Sequence, residues 1–227
     1  MIKNNKYKMI ISSFLILLPI ILDIMIYDRL PDKIPIHWNI HGDVDGWGSP
    51  LMLIALPMFL FILHWICIFA TAKDNSDKNQ NKKVFGMVFW ISPAISILTN
   101  CFIYATIFDI KIDVISVLFI IIGISFIAIG NYMPKCRQNR TIGIKIKWTL
   151  ENEENWNRTH RLFGKISVII GFLCIPSAFL PTSVSSYIII AMLAVLVVVP
   201  MLYSYLYHRK QLRKGEQDEN NRDKKSD

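Results

Sequence analysis

The chain has 227 residues, 53% of them apolar, and 25 Lys and Arg against 17 Asp and Glu. The apolar residues gather in runs of about 20, near the length that spans the ~30 Å hydrocarbon core of a bilayer, which leaves no room for a separate soluble domain. Of the 25 basic residues, 21 lie in alternate connections and three in the others, with Lys165 at the mouth of a run. That pattern marks membrane sidedness rather than a nucleic-acid-binding stripe.

In chain order, lysines at positions 3, 6 and 8 precede the first apolar run, 9–27. The run is too long for a signal-peptide core and no small-x-small cleavage site follows, so it reads as a retained first helix. A loop over 28–50 follows, then runs at 51–72, 84–108, 112–131, 162–181 and 184–207. Ser49-Pro50 suits a helix start, with proline at the first helical position. Residues 73–83 (KDNSDKNQNKK) read as a solvated linker, and Pro134 ends the fourth helix. Asn152-Glu153-Glu154 places a capping residue before acids in a first turn. A helix from there carries Trp156, His160 and Phe163 on one face into the fifth run. The tail from 208 is charged, without an apolar face, and reads as disordered. The fold class expected is an all-α integral membrane protein, a six-transmembrane-helix bundle with both termini cytoplasmic. Its expected modules are a two-helix unit over 1–72 and a four-helix unit over 84–207.

The loop LPDKIPIHWNIHGDVDGWGSP (30–50) holds three prolines, three glycines, two histidines, three aspartates and two tryptophans. Pro31 and Pro35 extend the chain, Asp45-Gly46 is a turn dipeptide, and Gly42 and Gly48 permit unusual backbone angles. Trp38 and Trp47 suit the headgroup level. One reading is a rigid, tryptophan-anchored cap. A second is a docking surface. A third is a divalent-metal site built on His37, His41, Asp43 and Asp45. The i, i+4 spacing of the two histidines puts both rings on one face only in a helix, and Pro35 with Gly42 confines any helix there to about one turn. The residues assigned to recognition or structure are Pro35, His37, Trp38, Gly42, Asp45, Gly46 and Trp47. Within the spans, Asp23, His64 and Asn100 stand out as intramembrane polar groups. By helical rise they lie roughly 6, 20 and 12 Å from the outer helix ends, so Asp23 and His64 are not expected to pair directly. The four cysteines, Cys67, Cys101, Cys136 and Cys174, read as small packing residues. No catalytic residue, metal or cofactor is assigned.

The segment IGIKIKWTLENEENWNRTHRLFGK (142–165) resembles the signature of the SdpI family of bacterial membrane proteins, approximately G-I-R-T-P-W-T-L followed by W-x-x-T-H-R-x-x-G. Gly143, Ile144, Trp148, Thr149, Leu150, Trp156, Thr159, His160, Arg161 and Gly164 match, and Asn131 matches an asparagine at the end of the preceding helix. The loop at 30–50 resembles the N-terminal domain of uncharacterised function that often precedes that signature. Lys145-Ile146-Lys147 stands where the family usually has Arg-Thr-Pro, which removes a bidentate donor and a rigid turn. The resemblance implies a multi-pass protein of the bacterial cell membrane that is not an enzyme. It implies protection against a secreted toxic peptide outside and retention of a transcriptional repressor inside, with no direct contact to nucleic acid and with membrane lipid as a further partner. Gly143, Trp148, Thr149, Trp156, Thr159, His160 and Arg161 are expected to form the cytoplasmic partner surface. The alternatives from other classes are an ion-coupled transporter using Asp23, Asn100 and His64, and a metal-dependent membrane enzyme centred on His37.

Overall fold

The computed structural model describes residues 5–73, 82–110, 112–140 and 142–226; the 73–83 linker therefore lies largely outside the described residues. Six long helices account for most of the chain: α1 (Lys6–Ile26), α2 (Leu51–Lys73), α3 (Lys82–Ile107), α4 (Val114–Tyr132), α6 (Glu153–Ser177) and α7 (Thr182–Ser226). A short α5 (Lys147–Glu151) lies between α4 and α6. Among the described residues, these six long helices are apolar enough to cross a membrane. Large apolar side chains such as Phe14, Ile62, Phe172 and Val198 are more than half exposed on their outer faces, while Ser12, Asp23, His64, Ser96 and Asn100 are buried. Apolar outside and partly polar inside is the pattern lipid demands.

The all-α expectation needs one correction. Residues of the 30–50 loop form an antiparallel hairpin, β1 (Ile34–Trp38) with β2 (Val44–Gly48). An Asx-type turn closes it: the Asn39 side-chain carbonyl accepts from the backbone N–H groups of His41 (2.8 Å) and Asp43 (3.0 Å), with Gly42 at φ +88°. Register shifts on either side of His37 bend β1, as bulges do. The sequence obscured these strands because Pro35 interrupts β1 and Gly46 interrupts β2.

α1, α2 and α3 pack on one another, and α4, α6 and α7 form a second bundle. What recruits α3 to the first bundle is one face of that helix. Phe89 packs with Met9 and Ile68, Ile103 packs with Ile34 and Leu53, and the Ser96 hydroxyl donates to the Ile16 carbonyl at 2.8 Å. At the hairpin end the bundles touch where the Ser186 hydroxyl of α7 donates to the Ile40 carbonyl at 2.7 Å.

Close backbone approach organises the second bundle. A Cβ on Gly130 would sit 2.7 Å from the Gly164 carbonyl oxygen, and one on Gly123 would sit 2.8 Å from that of Gly171. The paired glycines are seven residues apart on each helix, two full turns. They form a seam along which antiparallel α4 and α6 meet without side chains between them, a membrane packing device in which small residues replace hydrophobic drive.

Caps set the ends. The Asn152 side chain accepts from the Asn155 N–H at 2.8 Å and starts α6 as expected. Asp113 does the same for α4 through the Ser116 N–H at 3.1 Å. A 3₁₀ turn containing Pro134 (Met133–Lys135) follows α4. α7 continues to Ser226, against the expectation of a disordered tail. Its Lys, Arg, Glu and Gln are good helix formers and extend a helix already nucleated in the bundle.

Candidate functional site

Two folded structures occupy opposite ends of the helices. At one end is the hairpin. Ile34 is fully buried between Leu53 and Ile103, with Leu30, Trp38, Tyr104 and Ile107 packed around it. Pro35 is buried beside it. This anchor leaves the rest of the hairpin projecting. His37 Nδ1 lies 2.5 Å from Asp45 Oδ1, with side chains 69% and 44% exposed. Gly46 opposes His37, and a Cβ there would come within 2.7 Å of the His37 Cβ. Glycine at that position is what lets the ring lie across the strands. Trp47, Ile36 and Ile40 are also exposed. The structure thus gathers the expected loop residues into one element and sorts them, with Pro35 and Trp38 as anchors and His37, Asp45 and Trp47 displayed. Among the described residues no three His, Cys, Asp or Glu side chains converge as a metal cluster.

At the other end, residues 136–140 and 142–160 fold into a clasp against the start of α6. Trp156 is completely buried and its indole N–H donates to the Cys136 carbonyl at 2.8 Å. His160, one turn on, stacks on that indole with ring centres 4.0 Å apart and planes 20° from parallel. The imidazole is held at both nitrogens: the Ile144 N–H donates to Nε2 at 3.0 Å, and Nδ1 lies 2.8 Å from the Trp156 carbonyl. A backbone N–H can only donate and a carbonyl can only accept. The ring is therefore neutral, with its proton on Nδ1. Gly143 makes this possible. Its φ is +128°, and a Cβ would lie 2.5 Å from His160 Nε2 and 2.8 Å from the Trp156 ring.

The remaining signature side chains lock the same fold. The Thr149 hydroxyl accepts from the Ile146 N–H at 3.1 Å and lies 2.8 Å from the Ile144 and Ile146 carbonyls. Thr159 donates to the Asn155 side-chain oxygen at 3.0 Å, and Asn155 ties α6 to α7 through the Ser204 carbonyl (3.0 Å) and hydroxyl (2.7 Å). Trp148 stacks on His208 of α7 at 6.0 Å. Thr149, Trp156, Thr159 and His160 are fully buried and only Arg161 of the seven is exposed. The expected partner surface is thus turned inward: tryptophan, threonine and histidine here satisfy one another and the backbone.

Sequence reasoning missed Gln138, Asn139, Asn155 and Ser204 as members of the clasp. Asn139 holds a turn by donating to the Arg137 and Ile142 carbonyls (2.8 and 2.9 Å) and accepting from the Ile142 N–H at 2.7 Å. Gln138 donates to the Thr149 and Leu150 carbonyls at 2.7 and 2.9 Å. Isolated amides in a polar loop carry no spacing signal that marks such roles. Cys136 is buried, and burial pushes its thiol above the ordinary range; its backbone carbonyl makes the structural contact.

The intramembrane polar groups do not converge. Asp23 accepts from the Tyr104 hydroxyl, His64 Nε2 lies 2.9 Å from the Ser12 hydroxyl, and Asn100 donates to the Ser96 carbonyl at 3.0 Å. They are rungs at three levels of the first bundle. Ser12, Ile16, Pro19 and Asp23 share the buried stripe of α1. Asp23 Oδ2, His64 Nδ1 and Asn100 Oδ1 are buried without a hydrogen-bond partner among the described residues.

Comparison with known proteins matches both ends. Residues 135–204 match the SdpI/YfhL protein family, a span that begins at the clasp and ends at Ser204. Residues 14–62 match a domain of unknown function, DUF1648, which takes in most of α1, the hairpin and the first half of α2. The chain is 28% identical over 208 residues to Immunity protein SdpI of Bacillus subtilis (strain 168), covering 89% of this chain and 97% of that protein. No solved structure matches.

Proposed function

We propose that the chain is a member of the SdpI/YfhL protein family and acts as an immunity protein of the bacterial cell membrane that protects its host from a secreted antimicrobial peptide. The observation that carries this reading is the end-to-end similarity to an immunity protein, which includes both the hairpin and the clasp. Charge asymmetry supports the orientation: connections at the clasp end hold 21 basic residues and those at the hairpin end three, so the hairpin faces outward and both termini lie inside. A hairpin anchored by Ile34 that displays His37, Asp45, Trp47 and exposed isoleucines suits a peptide ligand, because it offers an aromatic and apolar surface beside a polar pair.

In the same reading, the clasp end serves as the output side, where a transcriptional repressor is held at the membrane. Because the signature side chains are inside the clasp, its exposed exterior (Lys145, Lys147 and Leu150) is the surface offered. Challenge of cells with and without the gene, using peptide toxins of related bacteria, tests the immunity reading. Survival that depends on the gene, and is lost in Trp47→Ala with normal membrane levels, supports it. Equal killing by every such peptide sinks it.

A second reading, ion-coupled transport, is favoured by the buried polar atoms of Asp23, His64 and Asn100 that have no hydrogen-bond partner among the described residues. Flux measurements in proteoliposomes decide it; a proton or sodium flux insensitive to Asp23→Asn and His64→Ala dismisses these residues.

A further inference from the structure

Among the described residues, the face shared by α6 and α7 carries three cavities: one of about 620 Å³ lies toward the Lys214 end of α7, lined by Glu154, Arg158 and Tyr207, and the other two lie end to end beyond it. Of these two, the one nearer the clasp has a volume of about 490 Å³ and is lined by Glu154, Asn157, Arg158, Arg161, Leu162, Lys165 and Tyr203. The other, about 430 Å³, lies deeper along the same helices and is apolar throughout, lined by Ile166, Ile169, Leu173, Ala191, Met192 and Val195. They are continuous on the helix surface. Leu162, Lys165, Ile169 and Leu173 follow one another at spacings of three or four residues, which keeps them on one stripe of α6. Met192, Val195 and Tyr203 do the same on α7, with Val199 completing the stripe between them.

The charges in the upper cavity are not equivalent. Arg158 is already engaged: its Nε and terminal nitrogen donate to Glu154 at 2.9 and 2.7 Å, and its guanidinium lies over the Tyr207 ring at 5.1 Å. Arg161 and Lys165, one turn apart, are exposed and have no hydrogen-bond or ion-pair partner among the described residues. Lys165 lies a full turn inside Arg161 along a membrane-crossing helix, with apolar surface continuing beyond it. Two exposed cations at the top of an apolar groove form a site for an amphiphile with an anionic head.

We propose that the α6/α7 groove binds one anionic phospholipid from the leaflet on the clasp side. Arg161 and Lys165 hold its phosphate, and an acyl chain lies along Ile166, Ile169, Leu173 and Val195, over Ala191. Arginine supplies two parallel donors to a phosphate, and lysine supplies a point charge from below, its stem lying along the groove. Such a lipid would fill the seam between α6 and α7 beneath the Asn155–Ser204 tie, and so would bear on the stability of the clasp end.

The test uses the full-length protein, purified in mild detergent and stripped of endogenous lipid. Phosphatidylglycerol and phosphatidylcholine with identical acyl chains are titrated separately, with binding read by native mass spectrometry and by thermal denaturation. Inorganic phosphate and glycerol phosphate form a third arm. The expected result is preferential retention of phosphatidylglycerol and a rise in Tm with that lipid alone. Removing both cations in Arg161→Gln/Lys165→Gln should weaken its binding about 25-fold, from roughly fivefold per basic residue near an anionic headgroup. Ala191→Trp, which fills the groove and leaves the charges in place, should also lose it, and unchanged helicity by circular dichroism shows that either variant is folded. Equal retention of the two lipids overturns the proposal. So does a phosphatidylglycerol preference that survives in both variants. Stabilisation by phosphate alone, to the same extent as by lipid, reassigns the site to a soluble anion and overturns the lipid claim.

Discussion

Gly143→Ala is the most direct probe of the clasp. At φ +128° a residue with a side chain lies outside the ordinary left-handed well, and such strain costs about 1–3 kcal/mol. The new methyl would also stand 2.5 Å from His160 Nε2 and 2.8 Å from the Trp156 ring. Neither neighbour has room to yield, because the ring is stacked on Trp156 at 4.0 Å and Trp156 is fixed through Cys136. Displacing the imidazole leaves the Ile144 N–H and the ring nitrogen without partners, and losing a buried hydrogen bond in this way costs about 1–3 kcal/mol more. The total, about 2–6 kcal/mol, falls on one local unit rather than on the glycine seam. Cys136 reports it. It is 2% exposed, so maleimide modification of its thiol requires the clasp to open. In a background with Cys67 and Cys101 replaced by alanine, Gly143→Ala should raise the modification rate at least ~30-fold, the factor that 2 kcal/mol represents. Cys136→Ala marks the signal that belongs to this thiol. A rate equal to that of the parent protein would refute the argument that an absent Cβ at position 143 creates the His160 bond.

Three further outcomes follow from the same geometry. Gly164→Leu places a side chain 2.6 Å from Pro134 and 2.7 Å from the Gly130 carbonyl. It should separate α4 from α6 and lower the thermal midpoint in detergent by more than any exposed substitution on α6, whereas Gly86→Leu, which meets nothing within 4 Å, should be neutral. Tyr104→Phe removes the donor to Asp23, whose second oxygen is already without a hydrogen-bond partner among the described residues. Destabilisation of about 1–3 kcal/mol is expected, relieved in the double variant with Asp23→Leu; a double variant no better than the single would count against the pairing. Burial raises the Cys136 thiol above its ordinary value of 9.0, so the open clasp loses that proton at a lower pH than the closed one. Closure therefore keeps its full strength below about pH 9 and weakens as pH rises from there toward the raised value. Hydrogen exchange at Ile144 measured on either side of pH 9, after correction for intrinsic rate, should show this slope in the parent and not in Cys136→Ala.

The spans and the start of α6 were legible because they depend on local signals: apolar runs of fixed length, and an Asn-Glu-Glu start whose capping needs no distant partner. The hairpin was not, because its strands are too short and too broken by Pro35, Gly46 and Gly48 to show alternation. The grouping of α3 with α1 and α2 was also hidden, since Phe89, Ser96, Ile103 and Tyr104 read as ordinary members of an apolar run until their partners are known. The largest reversal concerns the signature residues. Trp156, Thr159 and His160 look like a recognition motif because aromatic and polar residues in a basic connection usually face solvent. Here each polar atom finds its partner in a backbone carbonyl, a backbone N–H or an amide that no spacing rule marks.

That reversal changes what the Lys145-Ile146-Lys147 departure means. Ile146 serves the clasp through its backbone, giving its N–H to Thr149 at 3.1 Å and its carbonyl to the N–H groups of Thr149 and Leu150 at 3.1 and 3.0 Å. A proline one position later, at Lys147, would lose no bond of this set, since Lys147 occupies the first helical position of α5, where a proline is tolerated. The clasp therefore accommodates either sequence, and the substitution acts on the exposed exterior, where two lysines now stand on either side of a half-buried isoleucine. The hairpin and the clasp are both tied to α7. α7 receives the hairpin at Ser186 and the clasp at Ser204, eighteen residues and about 27 Å apart along a helix.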